Sequence, residues 1–199
     1  MENEYMDLRE QLLAYKPWNE QEERDRELIL KLIESGEELY TRDNEAAHFT
    51  ASAWVVDQSH TKVLMAYHNI YHSWAWLGGH ADGDHDLLHV ALKEVQEESS
   101  VKHVHALSND IYSLEILTVD GHVKRGKYVS SHLHLNVTYL LEADSTDSIH
   151  NKPDENSGVA WFDKEKALRK CSEPWMIEHV YRKLNDKMES FLEASDHEI

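Results

Sequence analysis

The chain has 199 residues, which is long enough for one well-buried domain with an extension. Its formal net charge of −18 disfavours binding to the phosphate backbone of nucleic acid. Its single cysteine, Cys171, excludes an intramolecular disulfide, is expected to be a packing residue, and fits a cytoplasmic protein. No apolar run of about 18 residues occurs and the N-terminal segment is too acidic for a signal peptide, so we expect no membrane attachment.

Apolar residues recur at helical spacing in two segments near the start of the chain, which predicts helices over residues 2–16 and 19–35. Asn19 followed by Glu22 is typical of a helix N-terminus, and Gly36 is typical of a residue just beyond a helix C-terminus. Residues 1–43 are therefore expected to form an N-terminal helical extension. The sequence leaves open whether this extension packs on the rest of the chain or pairs with a second copy in a homodimer.

The pattern then becomes strand-like. Residues 49–56 and 62–67 predict two strands joined by a polar turn, and further strands are expected over residues 111–118 and 131–140. In the last of these, apolar residues alternate with His132, His134, Asn136 and Thr138, so we expect the polar face to line a cleft where His134 contacts substrate. Two histidines at i and i+2 could also bind a metal, but nothing near them in sequence has the spacing of transition-metal ligands, so a dedicated histidine site is not favoured.

Residues 86–99 predict a helix with Asp86 as its N-cap. Its apolar residues form one stripe, and Glu94, Glu97 and Glu98 occupy an arc of roughly 100° beside it. Neighbouring like charges on a helix repel, so this cluster either binds a hard cation such as Mg²⁺ or is a solvated acidic face.

The loop before this helix carries Gly78 and Gly79, and the whole segment resembles the Nudix box of Nudix hydrolases. Matching residues stand at the spacing of that signature, namely Gly79, Glu94, Val95, Glu97, Glu98 and Val101. Three positions depart from it: His85 stands where the family has Glu, Lys93 where it has Arg, and Ser100 where it has Gly.

The resemblance implies an α+β fold, an α/β/α sandwich with a mixed sheet between helices, over residues 44–192. Residues 193–199 are expected to form a flexible tail. The resemblance also implies hydrolysis of the pyrophosphate linkage of a nucleoside diphosphate derivative, with Mg²⁺ or Mn²⁺ as cofactor. Glu97 and Glu98 would bind the metal, Glu94 would bind metal or act as general base, and Gly78 would offer a backbone carbonyl. Lys93 would orient Glu94, less firmly than Arg does.

A basic patch follows the turn at Asp120–Gly121 in this otherwise acidic chain and comprises Lys124, Arg125 and Lys127. It either contacts substrate phosphate or is a solvated loop. Residues 154–162 resemble the late acidic-to-Trp segment of Nudix domains, and a final helix is expected over residues 174–191. The alternatives to a hydrolase are a nucleotide-binding Nudix-like protein with little turnover and an acidic interaction module.

Overall fold

A computed structural model of the chain describes residues 6–124 and 126–196. The helices within these ranges are α1 (Leu8–Ala14), α2 (Glu20–Glu34), α3 (Leu87–Ser99), α4 (Lys164–Lys170), α5 (Pro174–Met176) and α6 (Arg182–Asp196), with a π-helical segment, Ile177–Tyr181, before α6. The strands are β1 (Ala47–Asp57), β2 (Lys62–His68), β3 (Ser73–Ala75), β4 (Leu77–His80), β5 (Val104–Ala106), β6 (Ser113–Val119), β7 (His122–Lys124), β8 (Lys127–Val129), β9 (His132–Ala143) and β10 (Asn156–Asp163). None of the described helices has the length and apolar character that crossing a membrane requires.

The strands form one large and one small sheet. The large sheet has eight strands in the order β10-β2-β1-β9-β5, with β3 paired to β2, β4 to β1 and β6 to β9, while β7 and β8 form a separate two-stranded ribbon. The predicted α+β class, a mixed sheet with helices after an N-terminal pair of helices, is confirmed. The three-residue strands β3, β5, β7 and β8 were not predicted, because such short segments carry too little periodicity.

The chain divides into two compact units. Unit 1 comprises the chain up to Ser52, Gly78–Ala91 and Ser108–Tyr139, and unit 2 comprises Ala53–Leu77, Leu92–Leu107 and the chain from Leu140 onward. Each unit has its own fully buried apolar side chains. Those of unit 1 include Leu12, Ile29, Phe49, Leu87, Leu114 and Leu135, and those of unit 2 include Trp54, Leu64, Met65, Leu77, Tyr181 and Leu184.

Helix α2 packs on strand β6 within unit 1. The Asp25 carboxylate accepts a hydrogen bond of 2.9 Å from the backbone N–H of Ile116, and the Gln21 amide donates one of 3.1 Å to the carbonyl of Leu114. The sequence left open whether the N-terminal helices pack on their own chain, and these contacts show that they do. The predicted domain boundary after residue 43 stays a prediction.

Glu22 is a fully buried carboxylate at the junction of the two N-terminal helices. It accepts hydrogen bonds from the Tyr15 hydroxyl at 2.6 Å, from the backbone N–H of Trp18 at 2.7 Å and from the Ser113 hydroxyl at 2.8 Å. Burial, reinforced by the neighbouring Glu22 charge, raises the pKa of Tyr15, so its phenol remains a donor. The carboxylate therefore joins both helices to β6 and is satisfied where it lies.

Asp57 organises the predicted turn between β1 and β2 in unit 2. Its carboxylate accepts hydrogen bonds from the backbone N–H groups of Thr61 at 3.0 Å and Lys62 at 2.8 Å, and from the Ser59 hydroxyl at 2.6 Å. Burial opposes ionisation of Asp57, but these hydrogen bonds outweigh it and lower its pKa. His60 takes a positive φ of 54° within the turn. The hairpin predicted from the sequence is thus present, with a charged side chain closing it.

The C-terminal part of unit 2 contains one helix more than predicted. Helix α4 follows β10 directly, and Glu173 is extended (φ −106°, ψ 97°) because the residue before a proline disfavours the α conformation. The final helical segment begins at Pro174 as predicted, but α6 continues to Asp196, beyond the predicted end at 191. Residues 197–199, the rest of the predicted tail, lie outside the described residues.

Candidate functional site

Helix α3 carries the predicted carboxylates, and its start is fixed by the predicted cap. The Asp86 carboxylate accepts a hydrogen bond of 3.0 Å from the backbone N–H of His89. Toward its C-terminal end, in unit 2, Glu98 is buried with 6% of its surface exposed, Glu94 is half-buried, and 43% of the Glu97 side chain is exposed. The three glutamates thus lie side by side on the helix but differ in their access to solvent.

The environment of the half-buried Glu94 perturbs its ionisation. Burial raises its pKa, and the neighbouring negative charge of Glu97 raises it further, while Lys93 acts in the opposite direction. Lys93 Nζ lies 3.9 Å from Glu97 Oε1, and half of the Lys93 side chain is exposed. The lysine therefore contacts Glu97 as an exposed point charge, and its predicted role of orienting Glu94 stays a prediction.

Lys152 is a second cation at this carboxylate cluster, and the sequence did not identify it. Its ammonium lies 3.3 Å from a Glu97 oxygen and 3.0 Å from a Glu155 oxygen. Burial opposes the charge of Lys152, but hydrogen bonds and attraction to Glu155 and Glu97 outweigh burial and raise its pKa. The sequence feature that could have identified Lys152 is its position just before the acidic-to-Trp segment, residues 154–162.

The same segment binds the end of α3. The Asn156 amide donates a hydrogen bond of 3.1 Å to the backbone carbonyl of Glu98, and the backbone N–H of His150 donates one of 2.8 Å to the carbonyl of Ser99. Ser100 follows with a φ of 61°, in the left-handed region, while its N–H binds the carbonyl of Gln96 at 2.8 Å. The residue that replaces the glycine of the Nudix signature therefore adopts the conformation for which glycine is suited.

The glycine loop belongs to unit 1. Gly78 lies in β4, where a Cβ would meet the backbone oxygen of Ala51 at 2.5 Å and the Cα of Ser52 at 2.7 Å. The glycine is therefore required for close approach of β4 to β1. Its predicted contribution of a carbonyl to the metal stays a prediction.

His85, the residue in place of the first Glu of the signature, has a packing role in unit 1. Its ring stacks on that of Tyr40 with centroids 3.8 Å apart and an interplanar angle of 22°. The Tyr40 carbonyl also accepts a hydrogen bond of 2.8 Å from the N–H of Gly83, whose φ is +91°. The loop between β4 and α3 is thus held against Tyr40, which explains how the sequence accommodates an imidazole at position 85.

The predicted substrate-binding residues are distributed over unit 1. Lys127 lies exposed on β8, where it pairs in register with Lys124 of β7. Arg125 lies outside the described residues. His134 is half-buried on β9. The structure thus places two lysines of the basic patch on one ribbon, and the substrate contacts of Lys124, Arg125, Lys127 and His134 stay predictions.

Much of the polar face of β9 is not a cleft wall, contrary to the sequence prediction. Asn136 and Thr138 are buried. The Glu115 carboxylate, also buried, accepts hydrogen bonds from the Asn136 amide at 3.1 Å and the Thr138 hydroxyl at 2.8 Å. Strand β6 pairs beside this part of β9 and places Glu115 in register with Asn136, so the alternation reflects an internal hydrogen-bond network rather than a face turned to solvent.

The other half of that face, His132 and His134, belongs to a histidine cluster in unit 1. Candidate ligand nitrogens of His48, His80 and His134 all lie within 4.8 Å of one another. His48 and His80 were not predicted as ligands because they lie far from His132 and His134 in sequence, and strand pairing brings them together. Burial lowers the pKa of His48, although its hydrogen bond to Asn44 acts in the opposite direction.

The fold is shared with solved hydrolases of the Nudix type. An Ap4A hydrolase of C. elegans gives a TM-score of 0.52 at 19% identity over 73% of this chain and 98% of that one. A Nudix hydrolase of M. smegmatis gives 0.52 at 11% identity over 72% and 86%, and the dihydroneopterin triphosphate pyrophosphohydrolase of E. coli gives 0.50 at 14% over 73% and 97%. At these identities the likeness concerns the fold alone.

The sequence itself assigns the family. The NUDIX domain model matches residues 46–184, well over half of the chain. No curated protein matches the sequence. The chain belongs to the NUDIX family, so the resemblance inferred from the box and the enzyme class that it implies, a Nudix hydrolase, are confirmed.

Proposed function

We propose that this protein is a metal-dependent hydrolase that cleaves the pyrophosphate linkage of a nucleoside diphosphate derivative. The observation that carries the proposal is the spacing of Glu94, Glu97 and Glu98 on α3 within a chain of the NUDIX family. Two structural neighbours, an Ap4A hydrolase and a dihydroneopterin triphosphate pyrophosphohydrolase, have names that point to phosphoanhydride substrates, which supports this substrate class.

The carboxylate cluster fits a hard divalent cation. Its donor set is all oxygen, which suits Mg²⁺ first and Mn²⁺ next. Burial and the negative charge of Glu97 both oppose ionisation of Glu94, and a cation would relieve that repulsion. Glu97 and Glu98 would hold the ion. A bound cation would neutralise part of the pyrophosphate charge and acidify the attacking water.

Glu94 has two candidate roles, and both follow from its place beside Glu97 on the helix. It either completes the cation site or accepts the proton of the attacking water as general base. Lys93 and Lys152 balance Glu97, so they limit the charge of the cluster in the absence of substrate. Asn156 fixes the backbone at Glu98 and therefore helps to position that carboxylate.

The substrate phosphates would meet the basic patch of Lys124, Arg125 and Lys127. These cations are unusual in a chain with 38 acidic and 20 basic residues, and a highly acidic protein needs local positive charge to bind an anion. A cytoplasmic location, consistent with one cysteine in 199 residues, is part of the same proposal.

The test is a screen of nucleoside diphosphate derivatives with Mg²⁺ and with Mn²⁺, measuring release of phosphate or monophosphate. Glu94→Gln should lower kcat by about 10²- to 10⁴-fold if Glu94 is the general base, with metal affinity unchanged. If Glu94 is instead a ligand, the same variant should also weaken the metal. Glu98→Gln should reduce the gain in melting temperature that the metal produces.

Glu165→Gln is the matched control, because Glu165 is an exposed glutamate in the first turn of α4. It should behave as the wild type in both assays. Metal-dependent nucleotide binding without turnover of any derivative would contradict the hydrolase and favour a nucleotide-binding protein. An absence of both turnover and binding would favour the acidic interaction module.

A further inference from the structure

Four histidines from three strands come together in unit 1. His48 lies in β1, His80 ends β4, and His132 and His134 lie in β9. The ring centroids of His48 are 5.2 Å from those of both His80 and His134 and 4.9 Å from that of His132. A four-imidazole cluster offers nitrogen ligands of the kind that suits transition metals, whereas the carboxylate site on α3 offers oxygen ligands.

The sheet determines this meeting. Strand β1 is the neighbour of both β4 and β9, so residues far apart in sequence approach across it. His132 and His134 are two residues apart on one strand and therefore point to the same face. The candidate ligand nitrogens of His48, His80 and His134 then all lie within 4.8 Å of one another.

For His48, a hydrogen bond defines which ring nitrogen carries the proton. Its Nδ1 lies 2.9 Å from the carbonyl oxygen of Asn44, and a carbonyl can only accept, so Nδ1 carries the proton and Nε2 a lone pair. The residue is 4% exposed, and its buried Nε2 has no hydrogen-bond partner within the described part of the chain. An Nδ1–H bound to a backbone carbonyl, with Nε2 directed elsewhere, is the arrangement that orients a metal-binding histidine.

His132 is oriented in a similar way. Its Nδ1 lies 2.8 Å from the carbonyl oxygen of Ser130, so Nδ1 donates and Nε2 faces the cluster, where it forms a hydrogen bond of 3.2 Å with Nε2 of His134. Two nitrogens that bind one tetrahedral Zn²⁺ at about 2.1 Å stand about 3.4 Å apart. The separation of this pair is therefore close to that of two ligands on one ion.

We propose that His48, His80 and His134 bind a transition-metal ion, Zn²⁺ or a similar ion that prefers imidazole, with His132 beside them as a fourth imidazole. Three histidine ligands leave one tetrahedral position for His132 or for a water molecule. Its nitrogen ligands distinguish this site from the carboxylates of α3, since Mg²⁺ prefers oxygen ligands. His134 then acts as a metal ligand rather than as the substrate contact expected from the sequence.

The test must separate this site from weak metal binding elsewhere, because the chain has fifteen histidines and a net charge of −18. We would titrate the full-length, tag-free protein with Co²⁺ and follow the visible absorption that a tetrahedral nitrogen site gives. The expected result is one Co²⁺ per chain, displaced by Zn²⁺ and retained in excess Mg²⁺.

His48→Phe is the main variant, because it keeps a ring of similar shape and removes the unpartnered nitrogen. It should abolish the absorption band and weaken Co²⁺ binding by at least about a hundredfold, more than loss of an outer hydrogen bond does. His134→Gln, at a half-buried position, provides a second variant and should give the same loss if His48→Phe does not fold.

His103→Ala is the matched control. His103 belongs to the other group of candidate ligands in the described residues, with Asp144 and Asp147, and 74% of its side chain is exposed. This variant should keep the Co²⁺ band. Glu98→Gln, which disables the proposed carboxylate site, should also keep it, so that loss of hydrolysis can be distinguished from loss of the histidine site. An unchanged band in both His48→Phe and His134→Gln, a band lost in His103→Ala, or no Co²⁺ band in the wild type would overturn the proposal.

Discussion

The conformation of Ser100 offers a direct test of how well this chain tolerates its departures from the Nudix signature. Ser100 follows the last residue of α3, is exposed, and has a φ of 61°. The left-handed conformation costs a residue with a Cβ about 1 to 2 kcal/mol, and glycine adopts it without that cost. Ser100→Gly removes this strain and changes little else at the surface.

The net effect is smaller than the strain, because glycine also gains freedom in the unfolded chain. That gain costs about 0.4 to 1 kcal/mol, so Ser100→Gly should raise the free energy of unfolding by about 0.5 to 1 kcal/mol. For a chain of this size, such a change raises the melting temperature by about 1 to 4 °C. Thermal and urea unfolding followed by circular dichroism would measure both quantities.

Ser35→Gly is the control for this substitution. Ser35 also ends a helix and is exposed, but its φ is −68° and its hydroxyl donates a hydrogen bond of 2.7 Å to the carbonyl of Leu32. Glycine should therefore destabilise the protein here, by up to about 1 kcal/mol. A Ser100→Gly protein no more stable than the wild type, or a Ser35→Gly protein equally stabilised, would refute the strain argument.

Four further predictions follow from the charged residues. Lys93→Arg should raise kcat by roughly five- to thirtyfold with little change in KM, because a planar guanidinium fixes a carboxylate better; unchanged steady-state kinetics would show that position 93 does not limit the rate. Lys152→Met should lower the metal-free stability by about 0.5 to 1 kcal/mol and enlarge the metal-induced gain in melting temperature, since Glu97 loses a cation; an unaltered gain would contradict the coupling. Asp57→Asn should destabilise the protein at neutral pH by about 1 to 3 kcal/mol in urea unfolding. Because the folded-state pKa of Asp57 is lowered, its contribution is present above the unfolded pKa of about 3.9 and is lost as the pH falls through the folded value, so a wild-type and variant difference that persists in acid would count against it. Lys127→Ala should raise KM and leave kcat unchanged if the ribbon contacts substrate phosphate, whereas identical kinetics would identify it as a solvated loop.

The sequence by itself determined the features that depend on local spacing. A period of 3.6 residues identified α3 and placed its three glutamates together, the capping role of Asp86 followed from its side chain, and the turn after Asp57 followed from polar residues between two strands. The strain at Ser100 was also foreseeable, because the family pattern has glycine at that position. Each of these features is decided within a few residues of backbone, where side-chain chemistry limits the available conformations.

Tertiary structure decided which distant residues meet. Lys152 reaches Glu97 across 55 positions, and His48 joins His134 only because β1 and β9 are neighbours in the sheet. Asn136, which the alternation in β9 placed on a cleft wall, is buried and hydrogen-bonded to side chains of neighbouring strands, Glu115 of β6 and Thr50 of β1. Strand alternation indicates which residues share a face, but the packing of the whole chain decides whether that face is buried. A sequence pattern of period two is the same whether water or protein lies against the face.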